Sequence, residues 1–387
     1  MAYSTGDFAR RALLPAGLSD TLPPNATHEA AVVETLVASL QSHGYARIKP
    51  PLIEFEDSLL DGPGAATSSR VFRLMDPMSQ KMMGVRADMT TQVARIASTR
   101  LDHMPRPLRL AYAGPVLRTV ANPIHPEREV VQVGGELIGS ETIGADAEII
   151  LVALEALERV GLEHLSVDLM VPQLVPAILD TLELTANQRD TLLTATDSKD
   201  IAAVRDTGAK GADLLASLLS ATGARVEALA ALTKLDLPAS AQEEIERLKA
   251  VVSSLIEARP NLAITLDPVE NRGFEYHVGI SFSLFSKSVR GEIGRGGRYH
   301  LTGESGETAT GFTLYVDRVL HGLPEPVSPP RIYLPFGLSR TEADVLRAAG
   351  HITVQGLSPE TDASAEAGRL GCTHYFQDGK ILPTNEA

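Results

Sequence analysis

Between Asn271 and Leu320 the chain concentrates side chains able to hold a small polar molecule. It reads Asn-Arg-Gly-Phe-Glu-Tyr-His-Val-Gly from Asn271, Gly-Arg-Gly-Gly-Arg-Tyr from Gly294, and Gly-Phe-Thr-Leu-Tyr-Val-Asp-Arg from Gly311. Phe274, Tyr276, Val278, Ile280, Phe282 and Leu284 alternate with Glu275, His277, Ser281 and Ser283, the two-residue period of a half-buried antiparallel strand. On that period His277 faces a polar surface and Tyr276 faces inward. Gln132 and Glu136 are four apart on a second strand and share a face; Val131, Val133 and Leu137 point the other way, and Gly134 and Gly135 clear space between. A carboxylate and an amide over a glycine gap can hold a small polar ligand, although a solvated sheet face would carry the same residues. Asp88 and Thr90, an acid and a hydroxyl at a helix start, suit an N-cap equally well. Arg118 and Arg272 carry the fork that fits a carboxylate or a phosphate, and taken alone Arg272 reads as a surface ion-pair partner and Tyr299 as a loop anchor. The glycines from Gly291 to Gly297 do not form a strand-to-helix phosphate loop, and the histidines show no metal-ligand spacing. Ser, His and Asp occur without a nucleophile elbow, so neither a metal, a cofactor nor a catalytic residue is expected.

The elements that must position these groups follow from periodicity. A helix capped by Asn25 or Thr27 places Val32, Val33, Leu36, Val37 and Leu40 on one face and stops at Gly44. A short strand at Ala46 to Ile48 comes next, then a helix from Asp88, strands at Leu108 to Leu117 and Glu129 to Ile138, and a helix from Ala145 ending before Gly161. The interval from about 175 to 258 is rich in Ala and Leu without strand alternation and reads as a helical insertion. After Leu323 a proline-rich linker leads to a strand at Ile332 to Leu334, a helix at Thr341 to Ala349 and a short closing segment, a small α/β appendage. The expected organisation is thus a main domain over residues 1–323 and a small one over 324–387. Strands separated by helical blocks without regular βαβ alternation favour an α+β fold.

At 387 residues and 44% apolar, the chain can bury at least one large core. A net charge of −14 argues against a surface built for nucleic acid. The single cysteine, Cys372, excludes an intramolecular disulfide and a multi-cysteine metal site, as in a reducing compartment such as the cytoplasm. No apolar run reaches the length of a signal peptide core or a membrane span, so neither secretion nor membrane insertion is expected.

In this order the motifs resemble those of histidyl-tRNA synthetase, a class II aminoacyl-tRNA synthetase, over about residues 10 to 325. That family writes its histidine-specific strand Arg-Gly-Leu-Asp-Tyr-Tyr-Thr-Gly, followed by Gly-Gly-Arg-Tyr and a final Gly-Phe…Glu-Arg helix. Arg128 to Glu136 matches Arg-Gln-Phe-His-Gln-Phe-Gly-Val-Glu, whose Gln and Glu contact bound histidine, which places Gln132 and Glu136 at the ligand. Asp88 and Thr90 match the synthetase's Arg-Pro-Glu-Gly-Thr, and there the carboxylate could receive the ligand's ammonium. Arg118 ends a match to Gly-Pro-Met-Phe-Arg, where the arginine binds the amino-acid carboxylate and the ATP α-phosphate. Arg272 matches the arginine that works at the activation step. His277 takes the place of the second tyrosine after Tyr276, and Tyr299 matches the other tyrosine touching the imidazole. The implied fold is an antiparallel synthetase-like sheet flanked by helices.

Two departures fall on the nucleotide side. Arg118-Thr119-Val120 replaces Arg-His-Glu, whose Glu helps to hold adenine, and Tyr315 replaces a glycine that leaves room in the nucleotide pocket. Asp317 replaces Glu, while Arg318 is kept. A retained amino-acid half beside a damaged ATP half resembles the ATP phosphoribosyltransferase regulatory subunits, synthetase paralogues of histidine biosynthesis without aminoacylation activity. The resemblance implies a hetero-oligomer with the short-form ATP phosphoribosyltransferase catalytic subunit, a homodimer within that assembly, and L-histidine as feedback ligand. The alternative at this level is a working class II synthetase or a related ATP-dependent amino-acid ligase, which would need the nucleotide pocket open despite Tyr315.

Overall fold

The computed structural model describes residues 13–120, 125–271, 276–301 and 306–384. The chain divides into two compact units, Met1–Pro324 and Glu325–Ala387. The first is built on strands β1 (Ala46–Ile48), β2 (Ile53–Phe55), β3 (Phe72–Met75), β4 (Met82–Val85), β5 (Leu108–Leu117), β6 (Glu129–Ile138), β7 (Leu165–Met170), β8 (Gly223–Ala224), β9 (Ala263–Asp267), β10 (His277–Ser286), β11 (Gly294–His300) and β12 (Thr308–Tyr315).

Nine of these form one sheet in the order β1-β5-β6-β12-β11-β10-β7-β9-β8. Its centre, from β5 to β7, is antiparallel throughout, and parallel pairs β1–β5 and β7–β9 extend it on either side. Strands β2, β4 and β3 make a separate antiparallel sheet. The α+β expectation holds, and β5 and β6 have the bounds that alternation predicts.

Helices Asn25–Ser42, Ile143–Arg159 and Ala239–Ala258 contribute Leu36, Leu40, Ile149, Leu154, Ile245 and Leu248 to the larger core. A second core gathers Met89, Val93, Tyr112, Tyr299 and Tyr315 under the helix Thr90–Thr99. The span 174–258 is helical apart from β8, which pairs antiparallel with β9.

Several sequence expectations are corrected. Neither Asn25 nor Thr27 caps its helix: Pro24 precedes it at φ −85° and ψ −7°, already helical, so no extended residue there can turn a side chain back. The third helix starts at Ile143, and the Thr142 hydroxyl accepts from the Ala145 N–H at 3.3 Å. Strand β10 begins only at His277 and is buried on both faces; Ser281 is fully buried and Ser283 nearly so. Its register shifts between His277 and Ser281, so the alternation drawn through Tyr276 does not apply there.

The second unit carries β13 (Arg331–Leu334), β14 (Ile352–Gln355), β15 (His374–Gln377) and β16 (Lys380–Pro383) in the order β14-β13-β15-β16. Its helices are Arg340–Ala348, capped by Ser339, and Ala363–Arg369, capped by Asp362. Ile332, Leu334 and Ala343 form one small core, and Tyr333, Ala367 and Cys372 another.

Candidate functional site

Strands β6, β12, β11 and β10 lie side by side, and glycines open a hollow on one face of them. Gly311 pairs with Glu136 on one side and Gly297 on the other. A Cβ on Gly311 would sit 1.7 Å from Glu136 Oε2, and one on Gly297 would sit 2.5 Å from His277 Cδ2. Glu136 therefore lies across a bare backbone, and the Tyr299 hydroxyl donates to its Oε2 at 3.0 Å. Both side chains are buried, Glu136 at 1% exposure. Burial pushes the Glu136 carboxyl up to about 8, against the lowering effect of the Tyr299 bond.

Around this pair lies a small cavity of about 40 Å³. Asp88, Thr90, Tyr276, His277, Arg295 and Tyr315 line it together with Glu136 and Tyr299. Tyr276, expected to face inward, packs against the second core and also lines the cavity; its ring centroid is 4.1 Å from that of His277. Asp88 accepts from the Thr90 N–H at 2.8 Å and from Gln132 Nε2 at 2.9 Å. Asp88 is not the N-cap expected of it, a position that Met89 takes; its carboxylate closes a turn onto the Thr90 N–H and still lines the cavity.

Six of the nine residues named from sequence meet at the cavity: Asp88, Thr90, Glu136, Tyr276, His277 and Tyr299. Gln132 does not line it but braces Asp88, and its Oε1 accepts from the Met89 N–H at 3.2 Å. The gap expected between Gln132 and Glu136 is filled. Tyr112 of β5 crosses Gly134 and meets Thr313 Oγ1 at 2.8 Å, and a Cβ on Gly134 would come within 2.3 Å of its hydroxyl. Arg118 is also outside the lining, its guanidinium carbon 5.8 Å from the Tyr315 ring centroid. Arg272 lies outside the described residues.

Arg295 is the charged residue that sequence reading passed over. It precedes Gly297 and Tyr299 by two and four positions on β11, so the same period-two argument places it on their face. Its Nε donates to Glu292 Oε1 at 2.9 Å. The cavity thus offers a buried carboxyl with a phenol at one place and a carboxylate, a hydroxyl and a guanidinium at another. Among the described residues no group of three or more His, Cys, Asp or Glu side chains is placed to hold a metal.

A sequence profile of the family described as Histidyl-tRNA synthetase matches residues 17–319. The chain is 53% identical over 376 residues to the ATP phosphoribosyltransferase regulatory subunit of Paramagnetospirillum magneticum, covering 97% of this chain and 99% of that one. It is 52% identical to the protein of the same name from Rhodospirillum centenum, over 96% of each chain. Among solved structures, an ATP phosphoribosyltransferase regulatory subunit/histidyl-tRNA synthetase from Bacillus halodurans superposes with a TM-score of 0.81 at 24% identity. That alignment covers 95% of this chain and 97% of the other, a likeness of fold.

Proposed function

The chain belongs to the family of ATP phosphoribosyltransferase regulatory subunits, on a histidyl-tRNA synthetase-like body, and from that footing we propose that its cavity binds free L-histidine as a regulatory ligand. The observation that carries the reading is the buried Glu136–Tyr299 pair facing the same cavity as Asp88, Thr90 and Arg295. An imidazole has a nitrogen on each side and needs a polar partner when buried, which Glu136, Tyr299 and His277 offer. Asp88 and Thr90 suit the ammonium, and Arg295 suits the carboxylate. Arg295 takes the part that the sequence had suggested for Arg118 or Gln132, since Arg118 faces Tyr315 and Gln132 is engaged by Asp88.

In this reading the chain does not activate amino acids. Val120 is exposed and has no hydrogen-bonding side chain, and the Tyr315 ring lies under the guanidiniums of Arg118 and Arg318. The chain works in the cytoplasm with a short-form ATP phosphoribosyltransferase catalytic subunit and supplies its feedback response to histidine. It does so as a homodimer; mass in solution tests this.

Calorimetric titration with L-histidine tests the central claim. Glu136→Ala should weaken binding by about 1–3 kcal/mol, because a buried ring nitrogen loses its partner. No heat of binding, or unchanged affinity in the variant, would remove histidine from this cavity. Histidine-dependent exchange of pyrophosphate into ATP at a synthetase-like rate would restore the synthetase alternative.

A further inference from the structure

Strand register sets the two ends of the cavity. Gly311, Thr313 and Tyr315 are two apart along β12 and share a face. Gly311 pairs with Glu136 and Gly297, Thr313 with Gly134 and Arg295, and Tyr315 with Gln132. Glu136, Tyr299 and His277 therefore belong to one end. Arg295, level with Thr313, stands about 7 Å of strand further along, and Tyr315, level with Gln132, about 14 Å. With its ring at Glu136 and its carboxylate at Arg295, an amino acid points that carboxylate along the strands toward Tyr315.

Two guanidiniums lie over the Tyr315 ring. Arg318 Cζ lies 4.1 Å from its centroid and Arg118 Cζ 5.8 Å, both within reach of the attraction between a guanidinium and a π-face. Arg318 is itself tied down, its Nη1 donating to the Glu292 carbonyl at 2.8 Å, and the Glu292 carboxylate accepts from Arg295. The Tyr315 N–H donates to the Ile293 carbonyl at 3.0 Å. At 7% exposure the ring cannot swing out without breaking this assembly.

We propose that Tyr315 is the specificity-determining wall of the cavity. It closes the carboxylate end, so the site accepts an α-amino acid with a free carboxylate and rejects the same amino acid once a larger group is joined there. The inference rests on the histidine reading for the identity of the ligand, while the closure stands on the geometry alone. It also gives Arg118 and Arg318 a role in this chain as the clamp on a ring.

Histidinamide and its N-benzyl derivative carry equal charge and differ in size at the carboxyl end, so calorimetry with both on the full-length protein tests the wall. The benzyl ligand should bind about 100-fold more weakly to the wild type, and the gap should fall below about 10-fold in Tyr315→Ala. Tyr315→Phe keeps the ring under the arginines and should keep the wild-type gap. A small gap in the wild type, or one that survives Tyr315→Ala, overturns the assignment. Should Tyr315→Ala fail to fold, the wild-type gap and Tyr315→Phe decide. Titration with ATP alone probes closure without the amino acid: binding to the wild type overturns the wall, whatever histidine does. If ATP is excluded and L-histidine also fails to bind, the wall stands and the ligand's identity falls.

Discussion

Glu136 is a carboxyl kept in its acid form by its surroundings. Its folded value of about 8 lies above the ordinary 4.5, chiefly because the group is buried. Between those two values the folded chain holds a proton that the unfolded chain has released. Stability from this group is therefore fullest below the unfolded value and is lost as pH rises toward 8. Glu136→Gln keeps the shape and removes the titration. Denaturant unfolding at pH 5, 7 and 8.5 should show the wild type losing stability relative to Glu136→Gln across that window. A difference between the two proteins that does not change with pH would show that the carboxyl is ionised throughout. The Gly311 backbone makes the arrangement possible, since any side chain there would displace Glu136.

The helix Ile143–Arg159 supplies the joint that holds the site's strands to the helical span. Asp146, at 2% exposure, accepts from Arg298 Nη2 of β11 at 2.7 Å and from Arg247 Nη2 of the helix Ala239–Ala258 at 2.6 Å. Arg298 also donates to the Ser140 carbonyl at 2.6 Å and to Thr308 Oγ1 at 3.0 Å. The arginine of the Gly-Gly-Arg-Tyr motif thus orients β11, and with it Arg295 and Tyr299, without lining the cavity. Asp146→Ala leaves Arg298 buried without its carboxylate and should cost about 3–5 kcal/mol in chemical denaturation. Arg247→Ala should cost much less, because that side chain is about a quarter exposed and can be replaced by water. Equal losses in the two variants would argue against Arg298 as the group that makes Asp146 indispensable.

For the whole molecule, a sensing role demands that histidine bind two states of the assembly with different affinity, since equal affinity shifts nothing. Coupling of this kind is typically about 1–3 kcal/mol and is reciprocal for binding. In a complex reconstituted with a short-form catalytic subunit, Glu136→Ala should raise the histidine concentration for half inhibition by about 5- to 150-fold, following its loss of affinity. An inhibition curve that stays in place would mean that histidine acts elsewhere in the assembly. The four-stranded second unit carries its own small cores, so the cavity does not depend on it for any lining residue.

The local patterns carried much of this. Period-two alternation determined β5 and β6, because side-chain direction along a strand is a property of the strand itself, and the ordered motifs pointed to Asp88, Thr90, Glu136, His277 and Tyr299, which line one cavity. Tertiary structure decided what fills the spaces that glycines leave. Tyr112 and Thr313, which close the gap over Gly134, are 201 positions apart, and no pattern within either segment shows that they meet. The same holds for Tyr315: the resemblance showed that a ring replaces a glycine, and only packing showed the guanidiniums of Arg118 and Arg318 over it. Arg295 was readable by period, yet its importance depends on the register that brings Thr313 alongside it. Register and gap-filling arise from contacts between distant segments, and so the chemistry of the site was legible before its shape.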